Sequence, residues 1–260
     1  MSGNATAELQ KLAHQVGVDA TDLGFLTSVP ADDLRALRGQ IGEALFQADK
    51  HYFAKVAGLS KNIPAPIAAK VTEFALPPLI AARVAELLEP NKAVDLVGRI
   101  SGSYLAKVAA AMDPGRAPHI IEKIPPDKVA LVGAELAKQG EWVVIGGFVS
   151  TVTNDGLHAS VGVFTGEQLL RIGFVLDDTS RLADIAEMLT DKQVDEILVA
   201  AGEHDLWPEL SELASNLTDA EATRLATQLA AAPDAVREAV RSAAASGALS
   251  AADSARLGLT

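Results

Sequence analysis

The chain has 260 residues, 49% of them hydrophobic, so it carries ample apolar material for a core; having no cysteine, it excludes a disulfide framework, a thiolate metal site and a cysteine nucleophile. Its net charge of −12 argues against a nucleic-acid partner, because phosphate contacts need clustered Lys and Arg. No apolar run reaches the roughly 18 residues of a membrane span, and no charged-then-apolar start marks an export signal, so a soluble cytoplasmic protein with no membrane span is expected.

In chain order, Leu9, Leu12, Ala13 and Val16 stand at helical spacing and predict a short amphipathic helix within residues 1 to 20. A loop follows around Thr27 to Pro30. Leu34, Leu37, Ile41, Leu45, Tyr52 and Val56 then predict one longer helix from Ala31 to about Gly58, weakened by Gly39 and Gly42. The run Ser60 to Pro66 breaks it, and Ile67, Val71 and Phe74 open a new apolar face.

From Pro78 to Ala137 a twelve-residue phrase is said five times: PLIAARVAELLE, PNKAVDLVGRIS, GSYLAKVAAAMD, PGRAPHIIEKIP, PDKVALVGAELA. Pro stands at 78, 90, 114 and 126, with Gly102 in the remaining slot. Pro suits the first position of a helix, where its missing N–H had no intrahelical partner and its φ is already helical. Apolar residues follow at offsets that share one helix face, for example Ala81, Ala85 and Leu88, then Ala93, Val97 and Ile100, then Leu105, Ala109 and Met112. Allowing one slip around Lys138 to Glu141 and a single-residue slip later, the template runs on to Leu206, Leu210 and Leu213. All 33 positions are apolar or glycine. Ser101, Asp113, Thr153, Thr165, Asp178 and Thr190 fall in the slot before each helix and are good N-caps. Thr165 with Gln168, Thr190 with Gln193 and Thr218 with Glu221 form capping-box patterns.

These features predict an all-α protein, a right-handed superhelix or solenoid of short twelve-residue helical repeats. Residues 1–76 would form an N-terminal helical cap, 77–217 the repeats and 218–260 an Ala-rich C-terminal helical cap, since solenoids need atypical end units. One segment has a rival reading. The Val, Ile and Thr content of 142–164 around Asn154-Asp155-Gly156 fits a β-hairpin, although the helical template continues through it in register.

The Pro-started unit, as in LLEPNKAVDLVGRIS and AMDPGRAPHIIEKIPPDKVA, resembles the cytosolic N-terminal domain of MgtE magnesium transporters and, more distantly, the flagellar motor-switch family of FliG. The resemblance covers residues 76 to 137. It implies a superhelix of short helices with a regulatory or assembly role; magnesium-sensing acids have no motif that places them here.

Candidate chemistry is sparse. Asp177, Asp178, Asp184 and Glu187 form an acidic group, within a segment from Asp177 to Glu221 holding thirteen acids against Arg181 and Lys192, but Asp178 is already explained as a cap and no metal site or cofactor is expected. Glu203-His204-Asp205 offers acid/base groups at a corner. The five histidines show no ligand spacing. Arg171 stands inside LLRIGFVL, where an unpaired charge would be costly. Two residues past the first core position, its column continues as Asp184 and Glu196, so Arg171, Asp184 and Glu196 are the candidate ligand-binding residues, with a structural charge ladder as their other reading. The function expected is that of a non-enzymatic binding or regulatory protein with a protein partner. A small-molecule or Mg²⁺ binder, and an enzyme of unrecognised chemistry, are the alternatives.

Overall fold

The computed structural model describes residues 3–60, 63–176 and 178–258, and among them every regular element is a helix. The chain opens with α1 (Gly3–Val16), a 3-10 helix over Ala20–Leu26, the long α2 (Ala31–Ser60) and α3 (Ala65–Ala75). Then α4 (Pro78–Ala85), α5 (Pro90–Val97) and α6 (Gly102–Ala110) each begin where the sequence places them. The next unit differs: Pro114–Arg116 makes one 3-10 turn and α7 (Pro118–Ile121) restarts after it. Pro118 has no N–H to give the carbonyl of Pro114, so a helix begun at Pro114 cannot run on.

α8 (Pro126–Lys138) outlasts its predecessors and ends at Gly140, whose φ of 73° is the left-handed turn that accounts for the slip in register. α9 (Trp142–Phe148) and α10 (Asn154–Val161) make the 142–164 segment helical. Thr153 Oγ1 accepts from the N–H of Gly156 at 3.2 Å, so Asn154-Asp155-Gly156 is the first turn of a helix and not a hairpin corner. α11 (Gly166–Phe174), α12 (Arg181–Met188), α13 (Asp191–Glu203), α14 (Trp207–Asn216), α15 (Asp219–Ala231), α16 (Asp234–Ser246) and α17 (Ala251–Arg256) complete the chain. Capping boxes form at Thr165, Thr190 and Thr218. Asp178 caps a turn instead of a helix: it accepts from the N–H of Ser180, and α12 starts later, at Arg181.

Alternate helices pack together. α4 lies on α6, α6 on α8, α8 on α10 and α10 on α12, while α3 lies on α5, α5 on α7, α9 on α11, α11 on α13 and α13 on α15. The closest approach is at Gly166, where a Cβ would stand 2.4 Å from the backbone carbonyl of Glu196, so any side chain would separate α11 from α13. Ile67, Val71 and Phe74 are 55%, 47% and 84% exposed, and the buried face of α3 is instead Ala68 and Ala69. α3 heads its row, so its wide apolar face has a helix on one side only. Leu37, Leu45 and Tyr52 of α2 are likewise exposed, because α2 is held near its start by α1 and toward its end by α4.

The N-terminal helix does not stay beside α3. α1 packs against α2, α9 and α14, and a charged cluster fixes it there. Glu8 is 0% exposed and accepts from Lys11 Nζ at 3.0 Å, Arg35 Nη2 at 3.2 Å and Arg38 Nε at 3.3 Å. Lys11, also buried, donates to the carbonyl of Leu176 at 3.2 Å, which joins α1 to the end of α11. Arg116 pairs with Glu43 at 2.8 Å and ties the middle of α2 to the corner before α7. At the far end Asp253 is buried and accepts from the hydroxyls of Ser211 and Ser250, docking α17 on α14.

Two stability predictions follow from these buried groups. Glu8→Gln removes the buried anion that Lys11, Arg35 and Arg38 share, and should cost about 3 to 5 kcal/mol by urea unfolding. Glu86 is buried, pairs with Arg83 at 2.9 Å and accepts from the N–H of Asp113; burial raises its carboxyl above the ordinary glutamate range. A carboxyl that holds its proton more tightly folded than unfolded favours the folded state in acid, and that advantage is lost as pH rises through the raised value. The stability of Glu86→Gln relative to the parent should therefore increase between about pH 4 and pH 7.

Candidate functional site, an apolar cavity

The two rows of helices meet where α11 packs on α14 and α12 on α15. Between them is a cavity of about 440 Å³, lined by residues that range along the chain from Val56 of α2 to Leu225 of α15. Its wall is the apolar column read from the sequence: every one of those core positions lines it except Ala117, Leu198, Ala201 and Leu206. The periodicity therefore identifies the right face: many of these residues pack together in buried clusters, and the cavity runs alongside that packed core. The middle position of several units is small, as Ala85, Ala109, Gly133, Gly173 and Ala186, and these residues leave the space. Gly173 is also needed for packing, since a Cβ there would meet Leu213 at 2.7 Å.

The cavity is long and narrow. Five packing steps lead from α4 through α6, α8, α10 and α12 to α14; at about 8–10 Å per step they cover a contour of about 40–50 Å. Spread over that length, the volume accepts an extended chain or a thin ring system better than a globular ligand. Ile63 and Val71 both line the cavity and are exposed, so the apolar wall reaches the surface beside α3.

Magnitude separates this cavity from a packing flaw. Protein interiors hold few voids larger than a water molecule. At roughly 24 cal/mol per Å³, a fully enclosed void of 440 Å³ without an occupant would cost on the order of 10 kcal/mol; this one opens beside α3. Water offsets little of it, because an apolar wall offers too few hydrogen-bond partners.

The sequence candidates lie outside the cavity wall. Arg171 donates to Glu167 at 2.9 Å, one turn back on α11; Asp184 pairs with Arg181 at 3.4 Å on α12; Glu196 pairs with Lys192 at 3.2 Å on α13. Each charge is met within its own helix, in partly exposed i,i+3 or i,i+4 pairs, so no ladder runs between units through these pairs. Arg171 and His204 are brought together through Glu167, whose second oxygen is 3.5 Å from His204 Nε2. That bridge joins α11 to the end of α13 and has no spacing signal in the sequence. His204 ends α13, and Asp205 after it has a φ of 54°, which makes Glu203-His204-Asp205 the exposed left-handed exit of a helix. Asp177 lies outside the described residues. Among the described residues no three acidic or imidazole groups converge as metal ligands, and no helix is long and apolar enough to cross a membrane.

The chain matches no protein-family model, no curated protein and no solved structure.

If the cavity is unfilled packing space in the isolated chain, adding carbon to its wall should stabilise the fold. Ala109→Leu is expected to raise unfolding stability by about 0.5 to 2 kcal/mol in denaturant titrations, and to reduce uptake of an apolar dye such as Nile red.

Proposed function

We propose that the protein is a non-enzymatic binder of an apolar small molecule, which it holds along the cavity between its two rows of helices. The observation that carries this reading is the wall itself: a single apolar column, continued through unit after unit, encloses a volume within the 300–1,000 Å³ range of ligand pockets. The arrangement is that of a right-handed superhelix of twelve-residue units, like the cytosolic MgtE domain. Helix starts at Pro78, Pro90 and Gly102 and the packing of alternate helices support it. In such a superhelix the concave side is a long, continuous surface, suited to an elongated occupant.

A protein partner is the second reading, favoured by the uncovered face of α3, where Ile67, Val71 and Phe74 share one side of the helix. The two make different demands on the molecule, since a partner needs the outside of α3 and a small molecule needs the inside of the cavity.

Native mass spectrometry of the protein purified without detergent from its own host separates them. The expected result is an adduct of a few hundred daltons that organic solvent extracts and that Ala109→Trp, which obstructs the cavity, fails to retain. A bare chain that also leaves Nile red and long-chain alcohols unbound in solution would overturn the proposal. A complex with a second protein, lost on Phe74→Asp, would move the function to α3.

A further inference from the structure

The cavity wall contains five polar side chains, Thr72, Lys128, Ser160, Glu221 and Arg224. Three are already engaged. Ser160 Oγ donates to the carbonyl of Gly156 at 2.8 Å, within its own helix. Glu221 closes the capping box of Thr218, and Arg224 donates to Asp191 and to the carbonyls of Ala186 and Leu189, so both offer the cavity their hydrocarbon stems. Thr72 is neutral. Lys128 is different in kind. It is half-buried in the first turn of α8, a place where the helix dipole does nothing for a cation, and among the described residues its ammonium makes no hydrogen bond and no ion pair. The acids nearest in sequence, Glu122 and Asp127, are exposed and do not pair with it. Ile124 and Val129, which flank it in the wall, are apolar.

We propose that Lys128 receives the head of a single-chain amphiphile, a long-chain carboxylate, whose tail lies along the cavity; this rests on the small-molecule reading above and names its ligand class. An ammonium carried on a half-buried side chain of the cavity wall attracts an anion more strongly than one in bulk water, because the surroundings screen less. One point charge matches a monoanion, whereas phosphate heads are generally held by several donors or by the planar fork of arginine. The narrow bore matches a single alkyl chain, and each methylene moved from water into the wall contributes about 0.8 kcal/mol. Head and tail thus use two features of the cavity, the Lys128 cation and a long apolar surface.

The test is equilibrium binding of hexadecanoic acid, hexadecanol and methyl hexadecanoate to the full chain and to Lys128→Met and Lys128→Arg, followed by calorimetry or by displacement of a fluorescent probe. The acid should bind the parent at least about tenfold more tightly than the alcohol or the ester, a step typical of one charge-assisted contact. Lys128→Met should erase that preference while leaving alcohol and ester affinities as they were, and Lys128→Arg should restore most of it. Equal affinities for the three probes on the parent, or a preference that survives Lys128→Met, would overturn the role of Lys128 and leave the cavity reading standing. If none of the three binds the parent, both fall.

Discussion

A helix of eight or nine residues has no stability of its own in water, because nucleation costs more than two turns of hydrogen bonds return. α4, α5, α6, α10 and α12 are of that length, so each exists only through what its neighbours cover. The chain meets this constraint by packing most of these helices on the one two places along, in two rows whose apolar faces line one cavity. Once every unit must present the same face, the residues at its centre decide whether the rows touch. They touch where α11 meets α14 and α12 meets α15, and elsewhere Ala and Gly at several of those centres leave the cavity between the rows.

Such an arrangement needs its ends and its long side secured. α2, at 30 residues about 45 Å long, runs beside the rows as a strap. Its first turns carry Arg35 and Arg38 to Glu8, its middle carries Glu43 to Arg116, and its last turns place Phe53, Val56 and Ala57 against α3 to α5. Through Lys11 and the carbonyl of Leu176, α1 joins this strap to the end of α11. A buried ion cluster contributes little net stability compared with a hydrocarbon core, but it admits few alternatives, and it places α1 in the middle of the molecule instead of on its end. The C-terminal helices, whose Leu225, Val240, Leu249 and Leu257 belong to the same buried cluster as Leu170 and Leu198, continue the packing without a break.

Much of the local structure is legible in the residues. Pro78, Pro90, Gly102 and Pro126 start helices; Ser101, Thr153, Thr165, Thr190, Thr218 and Ser250 cap them with their side-chain oxygens. Where local reading fails, a neighbour is responsible. Pro118 interrupts the helix begun at Pro114, and Asp178 is drawn into a turn ahead of α12. Ile67, Val71 and Phe74 have the spacing of a core face but no helix above them, because α1 has gone elsewhere. Arg171, Asp184 and Glu196 look like a column in the sequence and are three separate intrahelical pairs in space, since each has an opposite charge one turn away. The cavity had one available sign, the small residues recurring at the middle of the template; Lys128 had none.

The sequence by itself determined that the chain is helical, where most of its helices begin, and which face of each is apolar, because caps, prolines and a 3.6-residue period act within a few residues of one another. Only the tertiary structure decided that those faces surround a space, that α1 reaches Leu176, and that Lys128 lines the cavity with no hydrogen-bond or ion-pair partner among the described residues. Those outcomes depend on the distance between elements far apart in the chain, and that distance is set by the sum of side-chain volumes across two rows of helices, which no local pattern records.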